Sequence, residues 1–185
     1  MHRRTFVSTL VKGSILGGTG LVLGPSRGSA QNPVVERFVG TYRCEQPDGG
    51  RALIERAVDE GIAEMPGLRH RIARRRILEG DTPIPTITIA RNGAGVVIDL
   101  SHGRRNASPR FGVFFTSHSA TGDAIQVKHD VVGDRLRETY RDPDGGAVHW
   151  LDLSADGSRL RFSATITSPH LPGPIPYQLR FARTR

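Results

Sequence analysis

The chain has 185 residues, a formal net charge of +8 and a single cysteine. That length is enough for a domain with a real core, and one cysteine excludes an intramolecular disulfide framework. The sequence holds no internal repeat and no low-complexity block.

The first thirty residues stand apart. Met1-His2-Arg3-Arg4-Thr5-Phe6-Val7 is a short basic stretch. Its adjacent arginines followed by Thr-Phe-Val resemble the twin-arginine export signal. The apolar run Leu10–Leu23 is interrupted by Gly13, Gly17, Gly18 and Gly20, and it falls short of the ~20 apolar residues a membrane span needs. Gly28-Ser29-Ala30 offers small residues for cleavage before Gln31. The reading is a signal peptide over 1–30, a mature chain of 31–185, a periplasmic location and no stable membrane anchor after cleavage. The competing reading is an uncleaved anchor. No cysteine lies near the end of the apolar run, which argues against a lipoprotein. Without Arg3, Arg4, Lys12 and Arg27 the remainder carries 22 basic residues against 18 acidic, a net of +4. A mild excess spread along a chain is not the concentrated basic face that nucleic acid requires, so no nucleic-acid partner is expected. Export of a folded protein permits a cofactor loaded beforehand without requiring one, and the cofactor remains unknown.

In chain order, Arg37–Cys44 reads as the first strand, with Cys44 as a small apolar residue at its end. Gln46–Gly50 is a break, and Asp48 is placed to cap the helix after it. Leu53, Ile54, Ala57, Val58, Gly61, Ile62 and Met65 recur at helical spacing. Pro66-Gly67 ends that helix and starts another. The two span Gly50–Glu64 and Gly67–Ile77, with Leu68 and Ile72 turned toward the body. Together they fill a segment, 48–80, inserted into a chain that otherwise reads as strand and tight turn. Further strands are expected at Ile84–Arg91, Val96–Leu100, Arg110–Thr116, Asp123–His129, Arg135–Arg141, Ala147–Leu153, Arg159–Thr167 and Tyr177–Arg183. The turns between them carry Asn92-Gly93, Gly122, Gly133, Gly145-Gly146 and Gly157. Regular strand spacing with short polar turns indicates an antiparallel meander rather than βαβ units. Nine such strands leave two exposed edges unless the sheet closes. Closure gives an interior that side chains or one small ligand can fill. The expectation is therefore an all-β, antiparallel, up-and-down barrel of about nine strands, with a two-helix lid between the first and second.

Phe38-Val39-Gly40-Thr41-Tyr42 resembles the Phe-x-Gly-x-Trp opening of the calycins, the lipocalins and fatty-acid-binding proteins, with Tyr42 where the Trp stands. The resemblance implies a helix–turn–helix after the first strand, where 48–80 lies, and a meander ending in a C-terminal strand. It also implies an arginine, Arg180 or Arg183, packed against Tyr42. One feature departs: Tyr177-Gln178-Leu179-Arg180-Phe181 lacks the Arg-x-Tyr with which fatty-acid-binding proteins hold a carboxylate.

Alternation assigns inward faces: Phe111, Val113, Phe115; Ile125, Val127, His129; Leu136, Glu138, Tyr140; His149, Leu151, Leu153; Tyr177, Leu179, Phe181. His129, Glu138, Tyr140, His149 and Tyr177 thus become candidate ligand-binding groups inside an apolar cavity. Arg69, Arg75 and Arg76, in the dense run Arg69–Arg76, are candidates for an entrance that attracts anions. The plainer readings are buried polar groups satisfied by hydrogen bonds and a solvated helix face. His70, His102, His118, His129, His149 and His170 show no metal-ligand spacing. A single inward His129 or His149 would suffice for haem. There is no Gly-x-Ser-x-Gly nucleophile elbow. Ser101–Asn106 reads as a polar loop. The functional expectation is a carrier for a small apolar or amphipathic anionic ligand. The alternatives are an isomerase or hydrolase using Glu138 and His149 as acid and base, or a structural envelope protein with a filled barrel.

Overall fold

A computed structural model describes residues 32–184 apart from 82, 102–104 and 120–121. Residues 1–31, where the export signal is expected, and His102 lie outside the described residues. The chain order is α1 (Pro33–Phe38), β1 (Gly40–Cys44), a 3-10 turn (Pro47–Gly50), α2 (Arg51–Gly61) and α3 (Gly67–Asp81). Then follow β2 (Thr86–Asn92), β3 (Gly95–Asp99), β4 (Arg105–Ala107), β5 (Phe115–His118) and β6 (Ala124–Val132). The last four strands are β7 (Arg135–Asp142), β8 (Gly145–Leu153), β9 (Arg159–Thr167) and β10 (Ile175–Arg183).

All ten strands form one antiparallel sheet in the order β4-β3-β2-β1-β10-β9-β8-β7-β6-β5. Strands consecutive in the chain pair, except β4 and β5, and the one non-consecutive pair is β1 with β10, which curls the sheet on itself. β4 and β5 are left as facing edges, so the barrel is nearly closed. The expected architecture and the site of the helical insert are therefore observed, with ten strands rather than nine.

The differences are local. Residues 33–38 form a short helix that Asn32 caps through its side chain, so β1 starts at Gly40. Arg110–Thr116 is not one strand. Arg110 makes an isolated bridge to Ala94, a turn follows, and β5 begins at Phe115. Val113, expected inside, is 39% exposed. The additional strand, β4, overlaps the end of Ser101–Asn106, the segment read as a polar loop, and runs on to Ala107. Asp48 does not cap α2: Asp48, Gly49 and Gly50 take three successive left-handed conformations, and Gly50 occupies the cap without a side-chain bond. Glycine is required there, because a Cβ on Gly49 would lie 2.8 Å from the Ile84 and Pro85 backbone.

Burial is uneven. α2 and its C-cap residue insert Ile54, Val58 and Ile62 into the core, and a Cβ on Gly61 would meet Ile175 of β10 at 2.6 Å. The end of the barrel away from the lid is filled by fully buried Phe38, Tyr42, Ile87, Leu151, Phe162 and Phe181. Tyr42 donates to the Phe38 carbonyl at 2.8 Å, and Arg183 lies over its ring at 5.1 Å and bonds its hydroxyl. Arg183 takes the part expected of a C-terminal arginine, while Arg180 is exposed. α3 is held differently. An Arg74–Asp59 ion pair at 2.6 Å ties it to α2, and Met65, Ala73, Ile77 and Leu78 graze the core. Leu68 is 64% exposed and Ile72 40%. Neither faces the packed body, because α3 rides on α2 and stands off the strands beneath it.

Candidate functional site

Antiparallel register stacks the inward residues into rows across the strands. One row runs His129–Glu138–His149–Ala164–Tyr177 through β6, β7, β8, β9 and β10. The next row toward the lid runs Val127–Tyr140–Ala147–Ile166–Ile175. Alternation on single strands had placed His129, Glu138, Tyr140 and His149 on one face. The register brings them into contact.

Glu138 is fully buried and sits at the centre. Its Oε1 accepts from Asn106 Nδ2 at 2.8 Å and lies 2.9 Å from His129 Nε2. Its Oε2 lies 3.2 Å from His149 Nδ1. Burial pushes the Glu138 carboxyl up, but the hydrogen bonds and charge of His129 and His149 outweigh it and hold the group well below the usual carboxylate range. An ionised carboxylate only accepts, so both facing imidazole nitrogens carry protons. His129 Nδ1 is met by Ser108 Oγ at 2.9 Å. Asn106 Nδ2 also donates to the Tyr140 hydroxyl at 2.8 Å, and Ser117 Oγ donates to Asn106 Oδ1 at 2.7 Å. Both imidazoles spend a nitrogen on the carboxylate, which makes the trio a hydrogen-bonded chain. Among the described residues no group of three or more metal-ligating side chains is assembled for an ion.

Asn106, Ser108 and Ser117 are the members that sequence reasoning missed. Asn106 is on β4 and Ser117 on β5, the two open edges, so Asn106 joins the sheet across its seam. The signal was present as polar residues two apart, Asn106 and Ser108, which is strand spacing. Tyr177 is separated from the polar trio by Ala164 and packs its ring 6.3 Å from Phe162.

Above the row of Tyr140 lies a cavity of about 1110 Å³, between α3 and the strand ends around Ser119, Asp123, Ala124 and Ile125, Asp142–Gly146 and Ile166–Leu171. Met65, Ile72, Ala73, Ile77, Ile125, Ile166 and Leu171 make its apolar lining. Arg69, Arg75 and Arg76 line it from the helix side, and Asp123, Asp142 and Asp144 from the turns. Arg75 approaches Glu79 at 3.9 Å within the helix. Thus Arg69, Arg75 and Arg76 belong to the mouth, whereas His129, Glu138 and His149 lie beneath its floor. Ile166 lines the cavity, and Tyr140 and Ala147 of the same row are half-buried like it, unlike the row below them. Trp150 points outward, with Arg135 stacked on it at 4.3 Å.

Many solved structures share this architecture, and three illustrate it. Echinococcus granulosus fatty-acid-binding protein 1 superposes with a TM-score of 0.51 at 11% identity, covering 81% of this chain and 99% of its own. A Schistosoma mansoni fatty acid binding protein, solved in complex with arachidonic acid, gives 0.50 at 15% identity, covering 82% and 99%. A secretory abundant heat soluble protein from Ramazzottius varieornatus gives 0.51 at 11% identity, covering 80% and 96%. At these identities the likeness is one of fold. No family model and no curated protein matches the sequence.

Proposed function

We propose that the chain is an exported carrier that takes a small apolar or amphipathic anionic ligand into the mouth of its barrel. The observation that carries this reading is the 1110 Å³ cavity under α3, apolar on its lining and edged by Arg69, Arg75 and Arg76. An apolar cavity with a few convergent polar groups is the usual form of a small-molecule site. The acidic turns opposite favour an anionic head on the helix side of the opening. The similar fold of proteins named as binding fatty acids supports a lipid-like ligand in general. The export reading is supported by Arg3-Arg4-Thr5-Phe6-Val7, the apolar run Leu10–Leu23 and the small residues Gly28-Ser29-Ala30.

The test is displacement of a dansyl-labelled fatty acid from the mature chain. Trp150 is a poor reporter because it lies on the outer face. Replacing Arg69, Arg75 and Arg76 together by Ala is expected to weaken the anionic probe about fivefold to tenfold, the scale of a few partly screened charges. A neutral apolar probe is expected to bind the variant as it binds the parent chain. Absence of saturable binding of either probe to the parent chain would overturn the reading.

A further inference from the structure

His149 is bonded on one side only. It is 1% exposed, and its Nδ1 is engaged by Glu138 at 3.2 Å. Its distal nitrogen, Nε2, has no hydrogen-bond partner among the described residues. A buried polar atom left so is costly and uncommon. The contrast within the row is informative. His129 is equally buried and has both nitrogens engaged, one by Glu138 and one by Ser108.

The surroundings of His149 lead toward the mouth. The ring lies between those of Tyr140 and Phe162, each 4.8 Å away centroid to centroid. Along β8 the inward positions above it are Ala147 and then Gly145, and Gly145 lines the cavity. Ala147 is opposite Tyr140 and Ile166 in its own row, and His149 is opposite Ala164. On β8 the one inward side chain between Gly145 and His149 is therefore Ala147, which is only half-buried. Four residues of strand, at about 3.3 Å each, put His149 roughly 13 Å below Gly145.

The chemistry of the end point is set by Glu138. Glu138 holds a proton on Nδ1, and a ring that carries only that proton presents a lone pair at Nε2. Such an atom accepts from a hydroxyl. It offers nothing to an ionised carboxylate, which would also meet the buried negative charge of Glu138 beside it. We propose that His149 Nε2 is a hydrogen-bond acceptor for a hydroxyl at the buried end of the ligand, so that the ligand class is a hydroxyl-bearing apolar chain held with any anionic group at the mouth. This rests on the carrier reading above and adds an orientation and a selectivity to it.

The experiment compares displacement of the dansyl-labelled fatty acid by hexadecanoate and by ω-hydroxyhexadecanoate, two acids that share a chain and a head. The hydroxy acid is expected to bind the parent chain about tenfold more tightly, the scale of one well-placed buried hydrogen bond. His149→Phe, which keeps a ring between Tyr140 and Phe162, is expected to abolish that advantage and leave hexadecanoate nearly unchanged. Equal affinities in the parent chain, or an advantage that survives His149→Phe, overturn the assignment while leaving the carrier reading intact. Failure of both acids to displace the probe overturns both. Should the variant not fold, nitrogen NMR of the parent chain decides: the Nε2 resonance of His149 is expected to move with the hydroxy acid and not with hexadecanoate, and an unmoved resonance overturns the proposal.

Discussion

Glu138 is the residue on which the interior depends. Three donors, from Asn106, His129 and His149, converge on its two oxygens within 3.2 Å. Removing one member of a buried charged set leaves an uncompensated charge and typically costs about 3–5 kcal/mol. His129→Ala is therefore expected to destabilise the protein by roughly that amount, read as a lowered urea midpoint at unchanged slope. The sign with pH follows from the lowered carboxyl. A group whose folded pKa is depressed contributes stability above its unfolded value, about 4.3 for Glu. That contribution is lost as pH falls through the folded value. Urea midpoints are expected to drop with acid below about pH 4.5. Glu138→Gln should be less stable at neutral pH and show a shallower acid limb; an unchanged limb would mean that Glu138 does not drive the acid dependence. Much of this residue pattern was legible, because β6, β7 and β8 are regular and a period of two assigns every side chain to a face. Asn106 and Ser108 were not. β4 is three residues long, and nothing local distinguishes so short a strand from a polar loop.

At the scale of elements, the lid was readable in its first half and misread in its second. Ile54, Val58 and Ile62 recur at helical spacing and are all fully buried. In α3 the apolar residues are too few to define a face among five arginines. Leu68 and Ile72 were assigned inward because they are apolar, yet α3 stands off the strands and leaves them in solvent or on the cavity. A helix's orientation depends on what it lands on, and that is tertiary information. The lid's root has a stricter requirement. Gly49, at φ +62°, is wedged against the Ile84 and Pro85 backbone, and its carbonyl accepts from the Ile84 amide at 3.1 Å. Gly49→Ala adds a left-handed alanine, about 1–2 kcal/mol, and a contact that backbone atoms must move to relieve. The expected loss is thus about 2–4 kcal/mol, measured by denaturation. Gly93→Ala, at a similar φ of +58° but in open space, is the control and should lose only the conformational part. Equal losses at the two sites would remove the close approach from the account.

For the whole molecule, the question is what keeps a ten-stranded sheet curled. On one side closure is built from backbone, with β1 against β10 and Tyr42 locked beneath Arg183. On the other side β4 and β5 do not pair as strands, and side chains span the gap. Asn106 receives Ser117 from β5 and donates to Glu138 and Tyr140 on β7. The polar network under the cavity floor is thereby also the clasp of the seam, which couples the candidate site to barrel closure. The order of strands and the position of the lid followed from the meander, whereas this coupling did not, because it joins residues 106 and 138 across the barrel rather than along it. Asn106→Leu keeps the volume roughly and removes every one of these bonds while leaving both histidines on Glu138. Losing buried hydrogen bonds to a charge and to two hydroxyls is expected to cost about 2–4 kcal/mol. Hydrogen exchange should show where the cost falls. Protection in β4 and β5 is expected to fall first, with β8, β9 and β10 retaining theirs. A uniform loss across all ten strands would instead mean that the seam opens only with the whole barrel, and that Asn106 stabilises the core rather than the clasp.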